Sequence, residues 1–414
     1  MKTHVGTIQP DKAAIARLRA RYGDKHIVIR AIRPMAPPSA VAESLPPVAA
    51  DIAGDGAAPQ MTAATAPTVT APTPAAPRAD LVLVPHGLAI PAGTPDIRSD
   101  EFKAAVGSVD ATLKAFKPLV LTELPPAIQR ALAWMRKGKD AAVAKDSRLA
   151  PSPEMAHDLR LLRFLIGHKF DPPKALDEYV AALKKRRELK LDALRDEIVA
   201  SNGDFFAGRG LNLHRTHFHP KSAASDSLMP RLFVDFRPSA GGAYPLLLHR
   251  EGHALAVDRA PDFDKITQVG AGEWNGAECA FAELQALVLD ELSRRNATLM
   301  MICRVTDVLN RETALAKSLV PNPFAGSGEK QFKETGALTK MLYPTVIYKW
   351  FMVNLASAHL KKVQSAIATF GGRSKHKMIV CDTEFQKVVF PDINPSQLPA
   401  QFGGELPDAA FAQS

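Results

Sequence analysis

The chain has 414 residues, more than one hydrophobic core usually organises, so its length predicts a sizeable domain and a further segment. The net charge of +9 favours an anionic partner, which could be nucleic acid, a membrane surface or a phosphorylated ligand. Three cysteines without a CxxC pair argue against a disulfide framework or a structural zinc site, and no apolar run is long enough to span a membrane. We therefore expect a soluble protein of a reducing compartment.

Residues 1–80 are predicted to form a disordered Pro/Ala-rich arm. Ten prolines fall between Pro34 and Pro77, among Ala, Thr, Ser and Val and almost without aromatic residues. Such a segment cannot bury enough surface to offset its chain entropy. Basic residues around residue 20 are compatible with a mitochondrial transit peptide, but Asp11 and Asp24 argue against it. We expect a cytoplasmic protein that associates peripherally with membranes.

Four helices are predicted in the next part of the chain. The first is capped by Ser99, and the second begins at Pro125-Pro126 and is expected to end at Gly138. Two more follow, and Asp171 is expected to cap the second of these. We divide this part into a helical extension at residues 81–150 and an N-terminal helical subdomain at residues 151–205.

Residues 206–408 alternate between strand and helix patterns. A hairpin is expected to turn at Glu251-Gly252. Apolar strands are predicted at residues 299–305, 350–355 and 377–381, alternating with helices at residues 278–295, 332–342 and 358–370. Because the strands are continuously apolar, we expect an α/β fold with a mixed, largely parallel sheet covered by helices.

Signals for an enzyme are weak. His249-Arg250-Glu251-Gly252-His253 differs from a zinc-protease helix, because the Glu does not follow the first His and Gly252 interrupts the helix. The chain also lacks a GxGxxG loop, a phosphate loop and a GxSxG nucleophile turn. We expect no catalytic residue, no metal and no cofactor other than a bound ligand.

Three segments occur in an order that is typical of one known family. The first is Leu161–Leu165, which leads to His168-Lys169-Phe170-Asp171. The second is Tyr343-Pro344 with the apolar strand that ends at Asn354, and the third is Leu398–Gly404. These segments resemble the N-terminal helical signature, the YP segment with its strand and the closing LPxxFGG of the CRAL-TRIO lipid-binding family, in particular its phosphatidylinositol-transfer members. The resemblance covers roughly residues 155–405 and leaves the first 150 residues uncovered.

The resemblance implies a helical subdomain and a sheet that enclose an apolar pocket for one lipid, beneath a movable gate helix. The implied function is non-enzymatic binding and intermembrane transfer, or sensing, of a phospholipid such as phosphatidylinositol. The gate residues would be Leu360, Val363, Ile367 and Phe370, with Lys361 and Lys362 contacting the membrane. Residues 355–380 contain five Lys or Arg and no acidic residue, which favours an anionic membrane surface.

The same resemblance implies a headgroup site formed by His168, Lys169, Thr345 and Lys377. The two lysines could neutralise a phosphate as point charges. The family has a Glu directly after YP, where this chain has Thr345, and a basic residue where it has His168. Phosphatidylinositol, another phosphate-bearing lipid and a neutral isoprenoid therefore all remain open.

A second function class is a protein-interaction scaffold. In this alternative the CRAL-TRIO-like domain no longer exchanges lipid, and the Pro-rich arm recruits a protein partner. Nucleic acid is not an expected partner, because the basic helical residues occur without an RNP, zinc-finger or helix-turn-helix pattern.

Overall fold

The structure is a computed structural model that describes residues 81–407, apart from residues 86, 91, 215–230, 238–241, 261–265, 268, 309–326 and 371. The predicted disordered arm, residues 1–80, lies outside the described residues. None of the helices in the described part of the chain is long and apolar enough to cross a membrane.

Residues 100–206 fold into a layer of helices. These are α1 (Asp100–Lys114), α2 (Pro126–Lys145), α3 (Pro153–Ala156), α4 (Asp158–Gly167), α5 (Pro172–Glu188), α6 (Leu191–Ser201) and α7 (Gly203–Phe206). The two predicted caps are confirmed, since the side chains of Ser99 and Asp171 accept hydrogen bonds from the backbone N–H groups of Phe102 and Lys174. Lys190 adopts a left-handed conformation, with φ of 54°, and this separates α5 from α6.

The predicted end of the second helix at Gly138 is wrong. Helix α2 continues through this glycine to Lys145. A Cβ atom at Gly138 would overlap the side chain of Leu176 on α5. The glycine therefore permits close packing of α2 against α5, and it does not end the helix.

A five-stranded sheet follows, in the order β2-β4-β5-β6-β7 among the described residues. Its strands are β2 (Arg231–Leu232), β4 (Ala254–Arg259), β5 (Ile302–Asp307), β6 (Ile347–Val353) and β7 (Met378–Val380), while β1 (Asn212–Leu213) and β3 (Tyr244–Pro245) form a separate antiparallel pair. Strands β4 to β7 are parallel and β2 is antiparallel to β4. The predicted mixed, largely parallel sheet is thus confirmed, with the strands displaced by a few residues from their predicted ends.

The predicted hairpin is also present. Leu248 bridges Ala254 in an antiparallel arrangement, and the backbone N–H of His249 donates to the carbonyl of His253 at 2.8 Å. Gly252 takes up the turn with φ of 81°, a conformation that glycine adopts without steric cost.

Different parts of the chain cover the two faces of the sheet. Four further helices follow the hairpin within the described residues, namely α8 (Ala271–Asn296), α9 (Ser327–Leu342), α10 (Ser357–Phe370) and α11 (Gln386–Val389). One face, which includes Val305 and Phe351, packs against the C-terminal segment through Phe385 and Phe402. The opposite face packs against α8 near Ile302 and against α10 near Met352, and we call it the inner face.

The helices before residue 150 share a core with those that follow. Phe102 of α1 and Ile128 of α2 belong to the same buried cluster as Leu161 and Leu165 of α4. Val120 also forms an antiparallel bridge with Thr298, just before β5. The extension is therefore joined both to the helical layer and to the sheet.

Candidate functional site

The turn between α4 and α5 borders a cavity of about 520 Å³. Two of the four predicted headgroup residues, His168 and Lys169, line it from this turn, and Phe102 and Lys103 of α1 line it from the other side. Phe170 also lines the cavity and is buried. The cavity thus combines apolar side chains with cationic groups, a combination suited to one end of an amphiphilic molecule.

The side chains around this cavity carry more positive than negative charge. Lys103, Lys169 and Lys174 line it with a single acidic residue, Asp171, whose side chain already caps α5. Lys169 and Phe170 both have positive φ, 61° and 57°, so the turn holds two non-glycine residues in a sparsely populated conformation. Burial lowers the pKa of His168, which favours its neutral imidazole.

The other two predicted headgroup residues do not line the cavity. The Thr345 hydroxyl donates a hydrogen bond to the carbonyl of Arg163 at 3.0 Å, and the Lys377 ammonium donates to the carbonyl of Ile347 at 2.6 Å. Gly167 lies against Pro344, since a Cβ atom on this glycine would approach the proline Cβ to 2.6 Å. Thr345 is therefore behind the turn that carries His168, and Lys377 lies directly before β7.

A buried charge cluster, which sequence reasoning did not identify, holds this region together. Arg160 and Arg163 of α4, each 1% exposed, both contact the carboxylate of Asp290 on α8. Arg163 also donates to the carbonyls of Thr345 and Met300 at 3.1 and 2.9 Å. The signal was present in the sequence as two arginines, three residues apart, within an otherwise apolar helix.

The ionisation of this cluster follows from its geometry. Burial acts to raise the pKa of Asp290, but the charges of Arg160 and Arg163 outweigh it and hold that pKa below its ordinary value. The cluster fixes the start of β6 against α4 and α8. It has a structural role in positioning the turn that carries His168.

Helix α10 is the predicted gate. Leu360, Val363 and Ile367 point toward the inner face of the sheet, where Val363 and Ile367 are buried against Met352. The side chain of Phe370, the fourth predicted gate residue, lies outside the described residues. Lys361 and Lys362 are exposed on the other side of the helix, so its apolar and basic faces are separated.

A second feature missed by sequence reasoning is a row of charges across the inner face. Arg231 on β2 pairs with Glu278 of α8 at 2.6 Å, and Arg304 on β5 donates to Asp258 on β4 at 2.6 Å. Arg231 and Asp258 face each other in the strand register. The signal was the single Arg304 within the apolar run that becomes β5.

The His249–His253 segment forms a tight turn that buries both imidazoles. The Nδ1 atoms of His249 and His253 accept hydrogen bonds from the backbone N–H groups of Glu251 and Met301, at 3.1 and 3.2 Å. The two ring centroids are 5.7 Å apart. Nowhere in the described ranges do three His, Cys, Asp or Glu side chains form a group that could hold a metal ion.

The three cysteines are buried. Burial raises the pKa of the Cys279 and Cys381 thiols to about 11, and it also raises that of Cys303. All three side chains are thus held as protonated, unreactive thiols at neutral pH.

Comparison with known proteins finds likenesses among solved structures but none in sequence. No model of a known protein family matches the sequence, and no curated protein matches it. Among solved structures, the crystal structure of Sfh5 matches with a TM-score of 0.36 and 12% sequence identity. The match covers 76% of this chain and 91% of Sfh5.

Proposed function

We propose that this chain binds one lipid molecule between α10 and the inner face of the sheet and transfers or senses it, making and breaking no bond. The three CRAL-TRIO-like segments support this proposal, because they fall in α4, at the start of β6 and in the C-terminal segment that packs on the other face. The observation that carries the proposal is the way in which α10 packs.

Helix α10 rests on a small apolar cluster of its own. Val363 and Ile367 are buried with Val308, Met352 and Leu355, and this cluster is separate from the larger ones that join the helical layer and the C-terminal segment to the sheet. Burial free energy scales with the apolar area removed from water. Lifting α10 therefore exposes few buried side chains and leaves the larger clusters intact.

A lipid that entered beneath α10 would exchange one apolar environment for another. Each buried methylene is worth about 0.8 kcal/mol relative to water, but a bilayer provides the same gain. The net free energy of exchange is consequently small, and the protein needs only a helix that opens. Lys361 and Lys362, exposed beside the apolar face, would attract α10 to an anionic membrane.

The headgroup assignment remains part of the proposal. Lys169, with Lys103 and Lys174 nearby, supplies positive charge for the phosphate of a phospholipid such as phosphatidylinositol, and the neutral imidazole of His168 supplies a hydrogen-bond donor. Lys377 would have to exchange its hydrogen bond with the Ile347 carbonyl for one with the headgroup. Thr345 would contribute from behind Gly167, after a change in the turn.

The test is transfer of a fluorescent phosphatidylinositol between vesicles by the wild type and by Ile367→Asp. Ile367 is 5% exposed, so the substitution places a carboxylate within the small cluster under α10. We expect transfer to fall about tenfold or more, while thermal unfolding stays cooperative because the larger clusters are untouched.

Ala368→Asp is the matched control, since it adds the same charge to the same helix at an exposed position. It should leave transfer nearly unchanged. If Ile367→Asp no longer unfolds cooperatively, the apolar face of α10 is permanent core and the gate assignment is wrong. Absence of transfer by the wild type, with no lipid found by native mass spectrometry, would favour the scaffold function.

A further inference from the structure

The inner face of the sheet is charged where a lipid pocket would be apolar. The charge row defined above contains Glu278, Arg231, Asp258 and Arg304 and sums to zero when all four are ionised. Arg304 is the most exposed member of this row, with 25% of its side chain accessible, compared with 14% for Glu278 and 3% for Asp258. The guanidinium of Arg304 is therefore the charge that a ligand would meet.

Arg304 lies on a strand where such exposure of a side chain is unusual. Strand β5 is the middle strand of the five-stranded sheet, where side chains are normally covered by the helices above. Helix α8 covers the inner face around Ala256 and Ile302, and α10 covers it around Met352. The accessible part of the Arg304 side chain therefore lies between the regions of the inner face that α8 and α10 cover, and we call this part of the face the Arg304 opening.

The side chain of Arg304 is held in a defined orientation by its neighbours. The Arg304 guanidinium lies over the ring of Trp350, 5.0 Å from its centroid, and directs Nε and Nη2 to Asp258. Its Nη1 has no hydrogen-bond partner within the described part of the chain. The indole N–H of Trp350 donates to the Thr306 hydroxyl at 2.8 Å, which holds the ring in place beneath the guanidinium. A planar guanidinium held in this way presents an edge suited to a carboxylate.

The charge balance favours a group with one negative charge. Arg231 is already paired with Glu278, so Arg304 is the cation of the row that faces the opening. Burial raises the pKa of Asp258 despite the nearby charge of Arg304, and a proton on this carboxyl leaves the row with one net positive charge, on Arg304. A dianionic phosphate would add more negative charge here than one guanidinium can offset.

We propose that the Arg304 opening binds the carboxylate of a single-chain amphiphile, with the chain lying on the apolar part of the inner face beneath α10. The inference rests on the proposed function, because it places the ligand in the same space. It makes Arg304 the residue that selects a fatty-acid-like ligand over a neutral one. The selecting group is distinct from the headgroup residues His168 and Lys169, which lie in the cavity beside α1.

The test compares two probes, cis-parinaric acid and its methyl ester, which share the same chain and differ in the charge and the single methyl group at its end, by fluorescence titration of the full chain. We expect the wild type to bind the acid about tenfold more tightly than the ester or better, as for a charge-assisted contact. Arg304→Met should abolish this preference while retaining ester binding. Lys387→Met removes an exposed cation of α11, outside the opening, and should leave the preference unchanged.

Arg304→Met leaves Asp258 without its partner and could unfold the sheet. The double variant Asp258→Asn with Arg304→Met removes both charges, and it should also lose the preference. Persistence of the preference in either folded variant would overturn the inference. Equal binding of acid and ester by the wild type would overturn the inference alone, whereas binding of neither probe would overturn the proposed function as well.

Discussion

The polar residues inside this protein lie where its layers meet. Arg163 joins α4 to α8 and to the start of β6, and His253 lies at the opposite end of the hairpin turn from His249. The ring of His253 packs on Tyr348, with centroids 3.9 Å apart, and the Tyr348 hydroxyl donates to the carbonyl of Phe116 at 2.7 Å. Single residues thus connect the helical extension, the hairpin and the sheet.

The environment of His253 predicts a pH-dependent stability. Burial, with smaller effects from nearby positive charges, lowers its pKa from 6.5 to about 3. Between these values the unfolded chain binds a proton that the folded chain does not, so stability falls as pH falls below 6.5. At pH 5 this loss is about 2 kcal/mol. Urea unfolding at pH 7.5 and pH 5 measures it.

His253→Asn removes the titrating group and keeps an acceptor for the Met301 N–H. We expect this variant to lose less stability than the wild type between the two pH values. His214→Asn is the matched control, because His214 is exposed, and it should behave like the wild type. An unchanged pH dependence in His253→Asn would show that other groups cause the loss.

At the scale of elements, Gly138 shows that a local sequence pattern does not by itself determine where a helix ends. Gly138 has the sequence signature of a helix end, with Arg136 and Lys137 before it, yet α2 continues past it. A glycine is needed at this position because α2 lies close to Leu176 of α5. This close approach exists only when the two helices are packed together in the folded protein. Gly107, in the middle of α1, has no such neighbour, since a Cβ atom there would meet nothing within 4 Å.

These two glycines predict opposite responses to alanine. Gly107→Ala should stabilise the protein by about 0.5–1 kcal/mol, because alanine loses less backbone freedom in a helix and fits without contact. Gly138→Ala should gain nothing or destabilise, because Leu176 must move. Thermal unfolding of both variants measures the difference. A loss of stability in Gly107→Ala would mean that α1 requires flexibility at this position.

At the scale of the whole molecule, the sequence predicted the sheet better than the site. The buried strands around Val305 and Phe351 read as continuous apolar runs, which is typical of parallel strands covered on both faces, and the parallel sheet followed from them. Two of the four predicted headgroup residues line one cavity, but its second wall comes from α1. The hydrophobic periodicity of the sequence could not predict this wall, because the wall depends on how helices that are distant in sequence pack together.

The final prediction concerns the extension, which the family resemblance does not cover. Residues such as Ile128 and Leu132, both fully buried, pack in one cluster with Leu161 of α4. The backbone N–H of Leu121 also donates to the carbonyl of Ala297 at 2.8 Å. A chain that begins at residue 155 therefore exposes the partner surface of α4 and loses the bridge to the sheet, so it should lack a cooperative thermal transition.

A chain that begins at residue 81 keeps every described contact of the helical layer and should unfold cooperatively, at a temperature close to that of the full chain. Circular dichroism of the two shortened chains and the full chain makes the comparison. A cooperative transition at an unchanged temperature in the chain from residue 155 would show that α1 and α2 add nothing to the fold. Loss of cooperativity only in the chain from residue 155 would show that the extension is part of the domain. The apolar faces of α2 and α4 pack against each other, and exposing either face to water costs free energy.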